Sequence, residues 1–252
     1  MNGRFRDANR VFQNDGEDGI FNPVQKKGSR LTDTHTASPE ALPVERKPFQ
    51  GFRKVFHVLA SSTFPLFYLY PPAHLFHAPT RVVLLWFSSF CFVASLILDL
   101  FRLANRRFNS QFMTQYAFLI RKSEANRLNG STFLLLAFTV VIYFFSRPVA
   151  ITAMLFLSLG DAAAELGGKN FGRLKIFERS LEGSLSFFLV SFAVAFALLE
   201  DVRVALLGAL AGALVELFSF EWDDNLTVPI GSAVALSGAL VLFHFSNQLL
   251  AF

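Results

Sequence analysis

Asp161 and Glu165 stand four residues apart at the end of an otherwise apolar stretch that includes Leu155-Phe156-Leu157-Ser158-Leu159-Gly160. In a helix that spacing puts both carboxylates on one face. A carboxylate inside a membrane helix is costly unless partnered, so it is a functional candidate by default. Glu216 lies near the end of a second apolar stretch, and Asp223-Asp224-Asn225 follow shortly after. Hard oxygen ligands of this kind, completed by phosphate oxygens, are what Mg²⁺ prefers. The expected ligand set is Asp161, Glu216, Asp224 and Asn225. The plainer reading is that such residues mark helix ends at the membrane interface. It stays open for Glu165, Glu182 and Glu221, while Asp161 and Asp224 are read as functional.

Next to the first pair runs Gly167-Gly168-Lys169-Asn170-Phe171-Gly172-Arg173. Glycines let backbone amides approach phosphate oxygens, and Lys169 and Arg173 bring positive charge. The stretch is not a Walker A loop, because it follows a predicted helix and lacks that motif's spacing. A glycine helix cap followed by a basic loop is the alternative. Arg53 and Lys54, with His57 one turn on, open the first apolar stretch. By themselves they read as interfacial anchors.

The elements that must position these residues are membrane helices. Of 252 residues, 53% are hydrophobic and 17% charged, an apolar balance for a soluble domain. Seven apolar stretches predict spans at about 54–70, 82–100, 131–146, 148–166, 184–199, 202–218 and 227–245. The first contains Pro65, which predicts a kinked or partly interfacial helix. With these spans, 20 of the 23 lysines and arginines fall on one side, leaving Arg81, Arg147 and Arg203 on the other. That asymmetry predicts a cytosolic N-terminus, with the loops 101–130, 167–183 and 219–226 on the cytosolic face.

Residues 1–48 have no apolar run and read as a disordered basic tail. The single cysteine, Cys91, has no partner for a disulfide or metal site. Ala205, Gly208, Ala209 and Gly212 make a small-residue stripe suited to close helix packing, within the chain or in a homo-oligomer.

These motifs resemble those of the CTP-dependent lipid kinases, a family that includes the CTP-using diacylglycerol kinases, polyprenol and dolichol kinases, and phytol kinases. The resemblance runs from about Arg53 to Ser232. It is carried by Gly160-Asp161-Ala162-Ala163-Ala164, by Gly167 to Arg173, and by Arg179-Ser180-Leu181-Glu182-Gly183-Ser184. Glu216, Trp222 to Pro229, and Arg53-Lys54 with His57 complete it. Trp222 to Asn225 and Arg121-Lys122-Ser123-Glu124 look most similar to the diacylglycerol kinases.

The resemblance implies an all-α polytopic domain over 49–252 that phosphorylates a membrane lipid alcohol from CTP with a divalent cation. It implies roles in activity for Arg53, Lys54, Asp161 and Gly168. On that reading Asp161 or Glu165 is expected to accept the hydroxyl proton, and nucleotide contacts are expected at Gly167, Gly168, Lys169, Gly172, Arg173, Arg179 and Ser180. The expected setting is a bacterial inner membrane or the endoplasmic reticulum, with lipid and nucleotide as partners and no nucleic acid. A cytidylyltransferase making a CDP-lipid is the nearest alternative. An ion-coupled transporter would place its carboxylates in repeated segments near the midplane, whereas here they gather at one face.

Overall fold

The computed structural model describes residues 50–70, 74–75, 77–117, 119–120, 124–176, 179–219 and 222–249, with residues 50–54, 74 and 244–249 described by their backbone alone. The expected tail, Glu221 and Arg121-Lys122-Ser123 lie outside the described residues, as do the side chains of Arg53 and Lys54.

Apolar chain that cannot hydrogen-bond to solvent must satisfy its backbone internally, and here it does so as helices. They are α1 (Gln50–Leu69), α2 (Thr80–Ala104), α3 (Arg106–Gln115), α4 (Gly130–Phe144), α5 (Arg147–Leu155), α6 (Asp161–Phe171), α7 (Leu181–Leu199), α8 (Val202–Phe218) and α9 (Asp224–Leu249). One π-helical turn, Phe156–Gly160, joins α5 to α6 without a break. Two small hairpins complete the described fold, β1 (His74–Leu75) with β2 (Ala78–Pro79) and β3 (Lys175–Ile176) with β4 (Arg179–Ser180).

All seven apolar stretches are helical. Among the described residues four helices are long and apolar enough to cross a membrane: Thr80–Ala104, Arg147–Phe171, Leu181–Leu199 and Asp224–Phe243. The helices from Val55 to Leu69 and from Gly130 to Phe144 are apolar but shorter. Pro65 lies inside α1 without ending it.

The central rod is Arg147–Phe171. Every residue from Val149 to Leu155 is buried, and Phe156, Leu157 and Phe187 continue this core. The outer helices present Trp86, Phe90, Leu185, Leu189, Leu206 and Leu210 outward, as a bundle in lipid requires.

The small-residue stripe is used inside the chain. Ala205, Gly208, Ala209 and Gly212 are buried, and a Cβ added at Gly208 would lie 2.2 Å from Leu236 Cδ2. The homo-oligomer expected through this stripe therefore loses its surface: α9 already covers it.

The three minority arginines each lie at a helix end remote from Asp161, Glu216 and Asp224. Arg81 donates to the carbonyls of Ile142 (2.9 Å) and Tyr143 (2.5 Å), which close α4. Arg147 donates to Tyr68 O (2.8 Å) and Leu69 O (3.3 Å), which close α1. Arg203 pairs with Asp201 at 3.1 Å and lies over the Phe243 ring. Cations at helix C-termini are favourable, so Arg81 and Arg147 fit these positions although the basic loops lie elsewhere.

Candidate active site

At the acidic end the chain turns sharply between α6 and α7. The structure differs here from the expected glycine loop, because α6 continues as a helix to Phe171. Glycine is a poor helix former, but tertiary packing overrides that preference. A Cβ at Gly167 would sit 2.0 Å from Ser186 Oγ, and one at Gly183 would sit 2.8 Å from Ala164 O. Gly168 faces Ser180 Oγ at 2.9 Å by the same measure. These glycines let α6 and α7 approach closely, and the loop proper starts at Gly172, the C-cap.

The expected effect of Gly167→Ala is thus overpacking, worth about 1–3 kcal/mol. It should lower the melting temperature, with partial recovery in Gly167→Ala/Ser186→Gly. Weaker CTP binding at wild-type stability would instead favour the phosphate-cradle reading.

The short hairpin of β3 and β4 is folded back onto the start of α7. Ser180 Oγ accepts from Gly183 N at 3.1 Å, an ordinary N-cap. Glu182 Oε1 accepts from the amides of Arg173 (3.0 Å) and Leu174 (3.1 Å). Two amides at the end of the glycine stretch, those of Arg173 and Leu174, are therefore held by an internal carboxylate. Lys169 forms a surface pair with Glu165 at 2.7 Å, and the Arg173 side chain is exposed.

The hairpin also delivers Arg179 to the acidic residues. One arm of its guanidinium donates to Glu216 Oε1 and the other to Asp224 Oδ2. Glu216 is only 3% exposed, and its second oxygen accepts from Ser184 Oγ at 2.9 Å. Burial works against the Arg179 charge, yet Asp224 and Glu216 hold its pKa above the ordinary arginine value. Three elements are tied together by this one side chain: the hairpin, the end of α8 and the start of α9.

Asp161 opens α6, directly after the π turn. It is half-buried, within electrostatic reach of Asp224, and its carboxylate has no hydrogen bond or ion pair among the described residues. An unpaired carboxylate beside a second carboxylate calls for a cation.

Of the residues expected to hold a metal, Glu216 and Asp224 are brought together by Arg179, and Asp161 lies within reach of Asp224. Asn225 instead turns back on Asp223, its Nδ2 donating to Asp223 Oδ1 at 2.7 Å. Among the described residues no group of three His, Cys, Asp or Glu side chains is arranged to hold a metal ion. The donors are nonetheless hard oxygens of the type Mg²⁺ accepts, and Asp161 has no counter-charge among the described residues.

Two features escape a reading of the sequence. Ser184 on α7 supports Glu216 from 32 residues away. Asp99, 1% exposed, pairs with Arg102, 0% exposed, at the end of α2. The rule that singles out Asp161 applies equally to Asp99, but Asp99 stands where an apolar window ends and resembles an ordinary helix terminus.

The chain is similar to a protein named CTP-dependent diacylglycerol kinase 1 from Saccharomyces cerevisiae, with 30% identity over 220 residues, 76% of this chain and 73% of that one. It is 33% identical over 172 residues to the protein of the same name from Eremothecium gossypii, covering 57% of this chain and 54% of that one. A protein named phytol kinase from Synechocystis sp. is 38% identical over 106 residues, 36% of this chain and 46% of its own length. No family model and no solved structure matches the chain.

Proposed function

The chain belongs to the family of CTP-dependent lipid kinases, and from that premise we propose that it moves the γ-phosphoryl group of CTP onto the hydroxyl of a membrane lipid. Diacylglycerol is the first candidate acceptor, since relatives 30% and 33% identical to this chain carry that name. Phytol and polyprenols follow. The observation that carries the reading is Asp161, a carboxylate with no partner among the described residues and within electrostatic reach of Asp224, where Arg179 is already anchored. The distribution of lysine and arginine supports a cytosolic location for this end of the bundle.

Phosphoryl transfer needs in-line positioning and charge neutralisation more than covalent help. Asp161 and Asp224 would hold a divalent cation such as Mg²⁺, with Glu216 joining only if Arg179 releases it. Bound there, the cation would neutralise charge on the phosphates. Arg179, Lys169 and Arg173 supply the fixed positive charge of this end, and Arg53 and Lys54 are proposed to add theirs. The lipid hydroxyl forms a new O–P bond as the bond from the γ-phosphorus to the bridging oxygen breaks, releasing CDP. Glu165 lies one turn beyond Asp161 and is assigned the hydroxyl proton. Its surface pair with Lys169 is worth only a few tenths of a kcal/mol.

The assay is label transfer from γ-labelled CTP or ATP to a panel of lipid alcohols by the purified full-length protein. Labelled phosphatidate from CTP, little from ATP, and loss of labelling on chelation are expected. Labelling from ATP alone, or undiminished labelling in excess chelator, contradicts the reading. The kinase names of the relatives do not favour the CDP-lipid alternative.

A further inference from the structure

Arg102 is completely buried, yet its guanidinium has no lack of partners. It donates to Asp99 Oδ1 (3.1 Å), Asn109 Oδ1 (2.9 Å) and Asn129 Oδ1 (3.2 Å). It also donates to the backbone carbonyls of Glu124 (3.1 Å) and Arg127 (2.7 Å). The other oxygen of Asp99 accepts from Asn129 N (2.8 Å) and Thr132 Oγ1 (2.7 Å). Asn109 Nδ2 adds a bond to Ala125 O at 2.8 Å. The result is a fork from the end of α2 that grips the irregular segment 124–129 and the first turn of α4.

A buried ion pair is weak evidence for stability, because desolvation offsets much of the attraction. Apolar side chains would hold α2 against α4 as well. What they would not do is fix the carbonyls of a segment that, beyond a 3₁₀ position at Glu124, has no regular structure among the described residues.

That segment leads directly to the candidate site. A Cβ added at Gly130 would lie 2.7 Å from Asn225 Nδ2 and 3.5 Å from Glu124 Oε1. Asn225 is joined to Asp223, and its neighbour Asp224 holds Arg179. A contact path therefore runs from Arg102 through 124–129 and Gly130 to Asn225 and the acidic residues.

We infer that Asp99 and Arg102 are positioning residues: they set segment 124–130 so that Asn225 and the Asp223-Asp224 turn meet the nucleotide in register. The inference rests on the kinase reading for its consequence in catalysis. The placement itself has a separate readout.

The test uses the full-length protein in lipid nanodiscs. Thr132→Val removes one donor to Asp99 and with it the hydroxyl that meets Ser95 Oγ at 2.7 Å, at nearly constant volume, Thr132→Ser keeps both, and Gly130→Ala presses on Asn225 directly. Thr132→Val and Gly130→Ala should each raise KM for CTP about fivefold, the net worth of one hydrogen bond. KM for the lipid and the melting temperature should stay near wild type, and Thr132→Ser should keep the wild-type KM for CTP. Hydrogen exchange of Thr132→Val without nucleotide should speed up in 124–130 and 223–226 but not in 181–199. Faster exchange in 124–130 with wild-type exchange in 223–226 overturns the inference. So does an unchanged KM for CTP, or a loss that tracks melting temperature and affects both substrates alike. Wild-type protein inactive with CTP would sink the kinase reading instead, leaving exchange to decide the positioning.

Discussion

Asp161→Asn is expected to lower CTP-dependent lipid phosphorylation by about 10³-fold or more, the scale of losing a preorganised electrostatic group at a reacting phosphate. The substitution keeps size and shape and removes one negative charge. Asp161 has no partner among the described residues, and Asp224 lies within its electrostatic reach. Removing its charge therefore breaks no bond among the described residues and relieves repulsion, so insertion and melting temperature should match or slightly exceed wild type. Activity and stability then move independently, which is the mark of a charge kept for a ligand. A variant that retains full turnover removes Asp161 from the chemistry. One that loses turnover only by failing to fold makes it structural.

Arg179→Ala is expected to lose both activity and stability. Arg179 is the shared counter-ion of Glu216 and Asp224, and Glu216 is buried with Ser184 as its remaining neighbour. Breaking a buried pair by removing one member leaves a charge without compensation, at a cost of about 3 kcal/mol. The unpaired acidic residues should then bind a divalent cation more readily. Thermal melts should show Mg²⁺ raising the melting temperature of Arg179→Ala more than that of wild type. Arg179→Lys keeps the charge but lacks the two-armed fork that serves both carboxylates at once, so it should fall between the two. An Arg179→Ala protein that melts like wild type, with no gain from Mg²⁺, contradicts this account of the cluster.

The parts of this arrangement that are legible in sequence are those that break a rule of the membrane. Apolar windows marked every long helix, because a bilayer imposes length and composition directly. Asp161, Glu216 and Asp224 stood out because carboxylates at such positions are costly. Arg179 came with the family motif, but its role as a bridge was hidden: its partners lie 37 and 45 residues away.

The Gly167-Gly168 stretch misled for a physical reason. Local preference points to a loop, and only the face of α7, with Ser186 and Gly183 against it, shows why a helix without side chains is needed there. The small-residue stripe on α8 had no readable partner until α9 was seen against it. Asp99 and Arg102 went unnoticed because an i, i+3 pair at the end of an apolar window is commonplace on a solvated surface. Its partners among the described residues come from α3, segment 124–129 and α4, which no local pattern announces.

The central claim is that phosphoryl transfer, rather than nucleotidyl transfer, takes place at this acidic end. Following CTP and diacylglycerol by phosphorus NMR with the full-length protein tests it most directly. The account predicts CDP and phosphatidate appearing in equal amounts, with no pyrophosphate. Pyrophosphate formed with a cytidine-bearing lipid from phosphatidate, or CTP left intact beside diacylglycerol and every other lipid alcohol offered, would contradict it.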